Sequence, residues 1–252
     1  MIKLKNISKH YGKKEVINNV NLELPQNKLI AFIGSNGAGK STLISIISRT
    51  LAKDAGEVFI DDKELKDWNN SELSKRLSIL RQSNHLNIRL TVRDLVSFGR
   101  YPHSQGKLTE EDEKFIDDSL NYLGLTDLQD RFLDELSGGQ RQMAYIAMVI
   151  AQDTDYIFLD EPLNNLDMLH SVQIMKVLKR LVNELNKTVM IVIHDINFVS
   201  CYADYVIAMK NGQIVQDGDT KDIMNSPVLK EIYGMDIDIQ NIDGKNICLY
   251  YS

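Results

Sequence analysis

The chain has 252 residues, 43% of them hydrophobic, enough for a sizeable buried core. Its 29 Lys and Arg against 35 Asp and Glu leave a formal net charge of -6, which argues against a dedicated nucleic-acid binder with a basic face, so no nucleic-acid partner is expected. No apolar run approaches the roughly 20 residues that a bilayer span needs. The start, Met1-Ile2-Lys3-Leu4-Lys5, does not look secretory, so any membrane role is expected to come through a partner.

In residues 1 to about 31, apolar positions alternate at Ile2, Leu4 and Ile7 and again at Val20, Leu22 and Leu24. That period of two predicts an antiparallel sheet. The apolar run 29–33 predicts a buried strand, and residues 42–47 read as the start of a helix. Between them stands Gly34-Ser35-Asn36-Gly37-Ala38-Gly39-Lys40-Ser41-Thr42, which fits the phosphate-binding pattern G-x-x-x-x-G-K-[ST]. Glycines let backbone N–H groups turn inward around phosphate oxygens, and a helix N-terminus adds a favourable dipole. Lys40 is expected to reach the β- and γ-phosphates and Ser41 to put its hydroxyl on Mg²⁺. A nucleotide is therefore the expected ligand.

Leu77-Ser78-Ile79-Leu80-Arg81 reads as the next strand, followed by Gln82. From about 83 to 152 the pattern turns helical. Thr91 with Asp94 three residues later is a capping-box-like start, and Thr109-Glu110-Glu111-Asp112 loads another first turn with acid, as the helix dipole prefers. Near the end of this stretch comes Leu136-Ser137-Gly138-Gly139-Gln140, followed by Arg141 and a helical run over 142–148. A serine and two glycines at a helix start make a second nest of backbone donors suited to phosphate. The apolar strand 156–159 then ends in Asp160-Glu161. Asp160 is placed to hold Mg²⁺, directly or through water, and Glu161 to polarise an attacking water as general base.

Asp167 stands where it can cap the following helix, a role compatible with an interface. Beyond it, strands at about 188–193, 205–209 and 213–216 alternate with helices, which predicts a mostly parallel sheet, and Asn211-Gly212 is a hairpin signal. The tail from Pro227 mixes a helix with short strands. Cys201 and Cys248 stand in neither metal-ligand nor paired spacing, so both read as reduced thiols.

Taken together, these motifs resemble the ATP-binding cassette (ABC) transporter ATPases over nearly the whole chain. The resemblance implies an α/β P-loop NTPase of the ABC ATPase type. Its mostly parallel core sheet is joined by an antiparallel β subdomain, with a helical subdomain at about 83–152 inserted into one nucleotide-binding domain of residues 1–252. It implies ATP and Mg²⁺ as cofactors, the metal held by Ser41, Gln82 and Asp160. Tyr11 matches an aromatic that stacks on adenine, and Gln82 the glutamine that contacts Mg²⁺ and the attacking water and senses a membrane partner. His194 matches the histidine on the γ-phosphate, so Glu161, His194 and Gln82 form the implied catalytic set. Asn164-Asn165-Leu166-Asp167 matches a loop that crosses a dimer interface. Two copies paired head to tail are implied, each ATP lying between one phosphate loop and Ser137, Gly138, Gly139 and Gln140 of the other copy. Without the family pattern, Tyr11 also reads as an amphipathic edge residue, Gln82 as a solvated loop residue and His194 as structural. Ser35 departs from the usual proline, a change that a backbone-lined loop tolerates.

A "GR-P" stretch like Gly99-Arg100-Tyr101-Pro102 follows the glutamine loop in bacterial importers of ferric siderophores, haem and cobalamin. The run 160–167 and His194-Asp195-Ile196-Asn197 look most like siderophore importers, although they also fit importers generally. The expectation is an ATPase that energises ferric-siderophore uptake from the cytoplasmic face of the membrane. It is to do so through a separate integral-membrane permease, with an extracellular binding protein indirectly involved. Haem, cobalamin and metal-ion importers are the alternatives. A soluble non-transport ATPase is disfavoured, because much of that class has two fused cassettes or long coiled-coil insertions and this chain has neither. Arg100 and Tyr101 have a second reading as residues that order a surface loop.

Overall fold

The computed structural model describes residues 1–82 and 88–250. They form two compact units, Met1–Trp68 with Lys179–Ser252, and Asn69–Leu178. The expected start of the helical stretch at 83 lies outside the described residues.

The first unit begins with β1 (Ile2–Tyr11) and β2 (Lys14–Leu24), paired antiparallel with Ile2 opposite Leu24, Leu4 opposite Leu22 and Ile7 opposite Val20. All six of these side chains are buried, as the alternation requires. Every residue of β3 (Leu29–Ile33) is buried. It runs into the phosphate-loop sequence and then α1 (Lys40–Ile47), which starts two residues before the predicted position. The strands β4 (Ala55–Ile60) and β5 (Lys63–Glu64) complete an antiparallel sheet in the order β2-β1-β4-β5.

The second unit opens with α2 (Asn70–Leu73) and β6 (Leu77–Leu80). Next come α3 (Val92–Phe98), α4 (Tyr101–Ser104), α5 (Glu110–Tyr122) and α6 (Gly138–Ala151), then β7 (Tyr156–Asp160). Both threonine starts are full capping boxes. Thr91 Oγ1 accepts from the Asp94 N–H at 3.1 Å while Asp94 Oδ2 accepts from the Thr91 N–H at 3.0 Å, and Thr109 and Asp112 do the same for α5. Val92, Leu95 and Val96 of α3, Ile116 and Leu120 of α5, and Met143, Ile146 and Ala147 of α6 are buried. β6 and β7 are parallel, Leu80 lying opposite Leu159.

The chain returns to the first unit within α7 (Met168–Leu185). The remaining elements are β8 (Thr188–Val192), α8 (Ile196–Tyr202), β9 (Tyr205–Lys210), β10 (Gln213–Asp219), α9 (Thr220–Ile223), α10 (Ser226–Tyr233), β11 (Asp238–Ile242) and β12 (Lys245–Leu249). β3 lies between β8 and β9, parallel to both, and the uniform burial of β3 and β8 is the mark of strands covered on both faces. β10 turns back antiparallel on β9 and runs to Asp219, three residues past its predicted end. Asn211 and Gly212 both take left-handed backbone, φ 50° and 78°, as a type I′ hairpin turn demands. The Gly212 N–H donates to the Ala38 carbonyl at 3.0 Å and its carbonyl accepts from Asn18 at 2.9 Å, pinning this turn between β2 and the phosphate loop. Cys201 and Cys248 are free, and burial pushes the Cys248 thiol up to about 11. Among the described residues, no helix is long and apolar enough to cross a membrane.

Candidate nucleotide site

The candidate residues divide between the two units. In the first, the phosphate loop leaves β3 at Gly34, and Gly34, Gly37 and Gly39 all have positive φ, at 136°, 78° and 104°. Side chains other than glycine rarely adopt these angles, so the glycines let the backbone wrap ahead of the α1 N-terminus. Lys40, the first residue of α1, is buried and donates from Nζ to the carbonyls of Gly34 at 2.8 Å and Ser35 at 3.0 Å. Those bonds hold the ammonium within the loop. Ser41 and Thr42 follow on the first turn, half-buried. Tyr11 is 52% exposed at the end of β1, with the Lys9 ammonium 5.9 Å from its ring centroid. His194 is exposed in the turn between β8 and α8, whose N-terminus Asp195 caps by accepting from the N–H groups of Asn197 and Phe198.

In the second unit, parallel pairing sets the ends of β6 and β7 side by side and so brings Gln82 to Glu161, 79 positions away. Gln82 Nε2 donates to Glu161 Oε2 at 2.7 Å, and Asn164 Nδ2 donates to the same oxygen. Asp160 closes β7, and the backbone turns left-handed at Glu161 with φ 51°, a conformation that costs about 1–2 kcal/mol for a residue with a Cβ. The sequence places Asn164 in its loop without assigning it a partner. Its spacing of three from Glu161, at a strand end, is the one signal of this contact.

The Ser137–Gln140 segment is the N-terminus of α6, with Ser137 as N-cap. Gln140 N–H donates to Ser137 Oγ at 3.2 Å and Ser137 N–H to Gln140 Oε1 at 3.1 Å, while Ser137 and Gly138 are exposed and Gly139 is buried. Asp167 caps α7, accepting from the His170 N–H at 2.8 Å. Arg100 is 3% exposed and Tyr101 64% exposed, so within Ser97 to Pro102 the arginine belongs to the interior and the tyrosine to the surface.

Residues 17–164 match the model of the family described as ABC transporter. The chain belongs to the ABC transporter family. The petrobactin import ATP-binding protein YclP of Bacillus subtilis (strain 168) is 58% identical over 252 residues, 100% of each chain. The petrobactin import ATP-binding protein FatE of Bacillus anthracis is 48% identical over 239 residues, covering 95% of this chain and 96% of the relative. A dimeric post-hydrolysis structure of the ATP-binding cassette MJ0796, bound to ADP and Pi, superposes with a TM-score of 0.76 at 30% identity, over 87% of this chain and 99% of that one. The fold is that of the ABC ATPases, and the chain is an ATP-binding subunit of that family and an ATPase.

Proposed function

We propose that this chain energises import of a ferric siderophore, petrobactin first among the candidates, through a separate integral-membrane permease. The observation that carries this reading is the 58% identity with a petrobactin import ATP-binding protein across the full length of both chains. In this reading residues 1–252 work as one nucleotide-binding domain with its helical subdomain at about 83–152, peripheral on the cytoplasmic face of the membrane. Two copies pair head to tail, and an extracellular siderophore-binding protein delivers the substrate. Phe98 and Tyr101, 48% and 64% exposed, are the side chains offered to the permease.

Within the site, Gly34, Ser35, Asn36, Gly37, Ala38, Gly39, Lys40, Ser41 and Thr42 cradle the phosphates of ATP, with Tyr11 on the adenine. Ser137, Gly138, Gly139 and Gln140 reach the ATP held by the other copy. Glu161 takes the proton from the attacking water, Gln82 orients that water, and His194 contacts the γ-phosphate. The Ser41 hydroxyl, the Gln82 amide oxygen and the Asp160 carboxylate are the donors for Mg²⁺. These are hard oxygen ligands of the kind that cation prefers, and Gln82 commits its nitrogen to Glu161, which keeps its oxygen for the metal. Bound there, Mg²⁺ supplies charge neutralisation at the β- and γ-phosphates.

The deciding experiment measures uptake of radiolabelled iron as ferric petrobactin and as other ferric siderophores, in cells carrying this chain or its Glu161→Gln form. Loss of uptake in the variant, with manganese, haem and cobalamin uptake intact, is the expected result. Unchanged iron uptake for every siderophore overturns the substrate reading. Lys40→Ala tests the phosphate loop. It removes a charged donor worth about 1.5–3 kcal/mol, so the ATP dissociation constant rises roughly 10- to 150-fold in a fluorescent-nucleotide titration. A dissociation constant within twofold of the parent contradicts the role given to Lys40.

A further inference from the structure

His170 lies on the first turn of α7, and its ring occupies the space beside Gly139 of the α6 N-terminus. A Cβ built on Gly139 would come within 2.1 Å of His170 Cδ2 and 2.2 Å of Cγ, so the glycine is what lets the ring lie against the signature turn. The same ring holds the loop on its other side. His170 Nδ1 is 2.8 Å and 2.9 Å from the two carboxylate oxygens of Asp167, and only a protonated Nδ1 can donate there. The His170 backbone N–H adds a bond to Asp167 Oδ1 at 2.8 Å. Together with the ring, it holds the exposed Asp167 carboxyl below the usual carboxylate range. Asp167 in turn accepts through its carbonyl from the Ser171 N–H and hydroxyl at 3.0 Å and 2.9 Å, so the end of the 164–167 loop is fixed from both sides.

We infer that His170 is a positioning residue that couples the 164–167 loop to the signature turn, its Nδ1–H fixing Asp167 while its ring sets the place of Gly139. The inference rests on the proposed two-copy reading, in which both of these segments face the other protomer. A displacement of Asp167 by that protomer is then transmitted through one rigid ring to the glycines that meet its ATP. His170 is not among the residues assigned to ATP or Mg²⁺, so its effect falls on assembly of the two-copy site and on turnover, and ATP binding to a single chain is spared.

The test uses three substitutions that differ in which nitrogen they keep. Asn places an amide N–H where Nδ1 stood, Gln reaches only as far as Nε2, and Ala keeps neither. The expected result is a kcat for ATP hydrolysis reduced about tenfold in His170→Ala and His170→Gln, and restored to within about threefold of the parent in His170→Asn. ATP affinity of the single chain and the thermal midpoint stay near the parent's in all three. In the Glu161→Gln background, where ATP is expected to drive dimer formation, adding His170→Ala raises the ATP concentration needed at least about tenfold by size-exclusion chromatography, and adding His170→Asn does not. Parent-like turnover in His170→Ala, or rescue by Gln as good as by Asn, overturns the inference while the two-copy reading stands. Failure of Glu161→Gln alone to dimerise with ATP overturns both.

Discussion

Glu161→Gln lowers ATP turnover by about 10²- to 10³-fold while ATP affinity stays within about threefold of the parent, and the variant accumulates as an ATP-bound dimer. The substitution is isosteric, and the contacts of this side chain explain why it isolates chemistry from structure. Glu161 Oε2 is an acceptor for Gln82 Nε2 and for Asn164 Nδ2, and a glutamine carbonyl oxygen serves the same two donors. The left-handed backbone at position 161 is equally available to both residues. What the amide cannot do is take a proton from water, so loss of rate with retained binding assigns Glu161 as the base. Phosphate release measured at saturating ATP, beside size-exclusion chromatography with ATP, reads both effects. Turnover within tenfold of the parent would remove Glu161 from that role. Asn164→Ala provides a graded companion, because it strips one donor from the carboxylate and leaves the base in place.

Much of this site is legible in the amino-acid sequence, and the reason lies in how local its determinants are. The phosphate loop is contiguous, with its strand, glycines, lysine and helix start all within 29–47, so pattern alone gives both identity and geometry. Thr91 and Thr109 announce their helices because a capping box is a four-residue device. Asn211-Gly212 announces its hairpin because the turn needs two left-handed residues and these two tolerate that backbone best. Contacts that depend on side-chain direction across elements are not legible in the same way. Gln82 meets Glu161 only because β6 and β7 are neighbours in parallel register, and no spacing in the sequence encodes that. His170 meets Gly139 because α7 begins beside the start of α6, so the histidine reads from sequence as one polar residue on a helical turn. Element ends differ from expectation by two or three residues, at Lys40 for α1 and Asp219 for β10, where a loop lysine continues the helix and a pairing partner extends the strand.

Arg100→Leu costs about 3–5 kcal/mol of folding stability, because it breaks an ion pair that is out of reach of water. By sequence, Arg100 belongs to a "GR-P" stretch like that of bacterial importers, with a second reading as a residue that orders a surface loop. The structure puts its side chain 4% exposed against an Asp112 side chain that is 5% exposed. Arg100 Nε donates to Asp112 Oδ1 at 2.8 Å, Nη1 donates to the Ala151 carbonyl at 2.8 Å, and the guanidinium lies 4.2 Å from the Phe115 ring centroid. One side chain thus ties the segment after α3 to the N-terminus of α5 and the C-terminus of α6. Leucine fills part of the volume but takes the Arg100 donors away from Asp112 Oδ1 and the Ala151 carbonyl, leaving the carboxylate only its Thr109 bonds at Oδ2. Adding Asp112→Asn to Arg100→Leu removes the stranded charge, keeps an acceptor for Thr109, and recovers part of the loss. The pH dependence carries a sign. Burial pushes the Asp112 carboxyl up, but the Thr109 N–H and hydroxyl and the Arg100 guanidinium outweigh it and hold it below the usual range. Its contribution is therefore complete above the unfolded value of about 4 and is lost as pH falls through the lowered folded value. The gap between parent and Arg100→Leu is widest near neutral pH and narrows in acid, since the variant's carboxyl, without the guanidinium to offset its burial, takes up its proton more readily. Urea denaturation at pH 7 and pH 4 measures both terms, and a loss under about 1 kcal/mol at pH 7 would return Arg100 to the surface role.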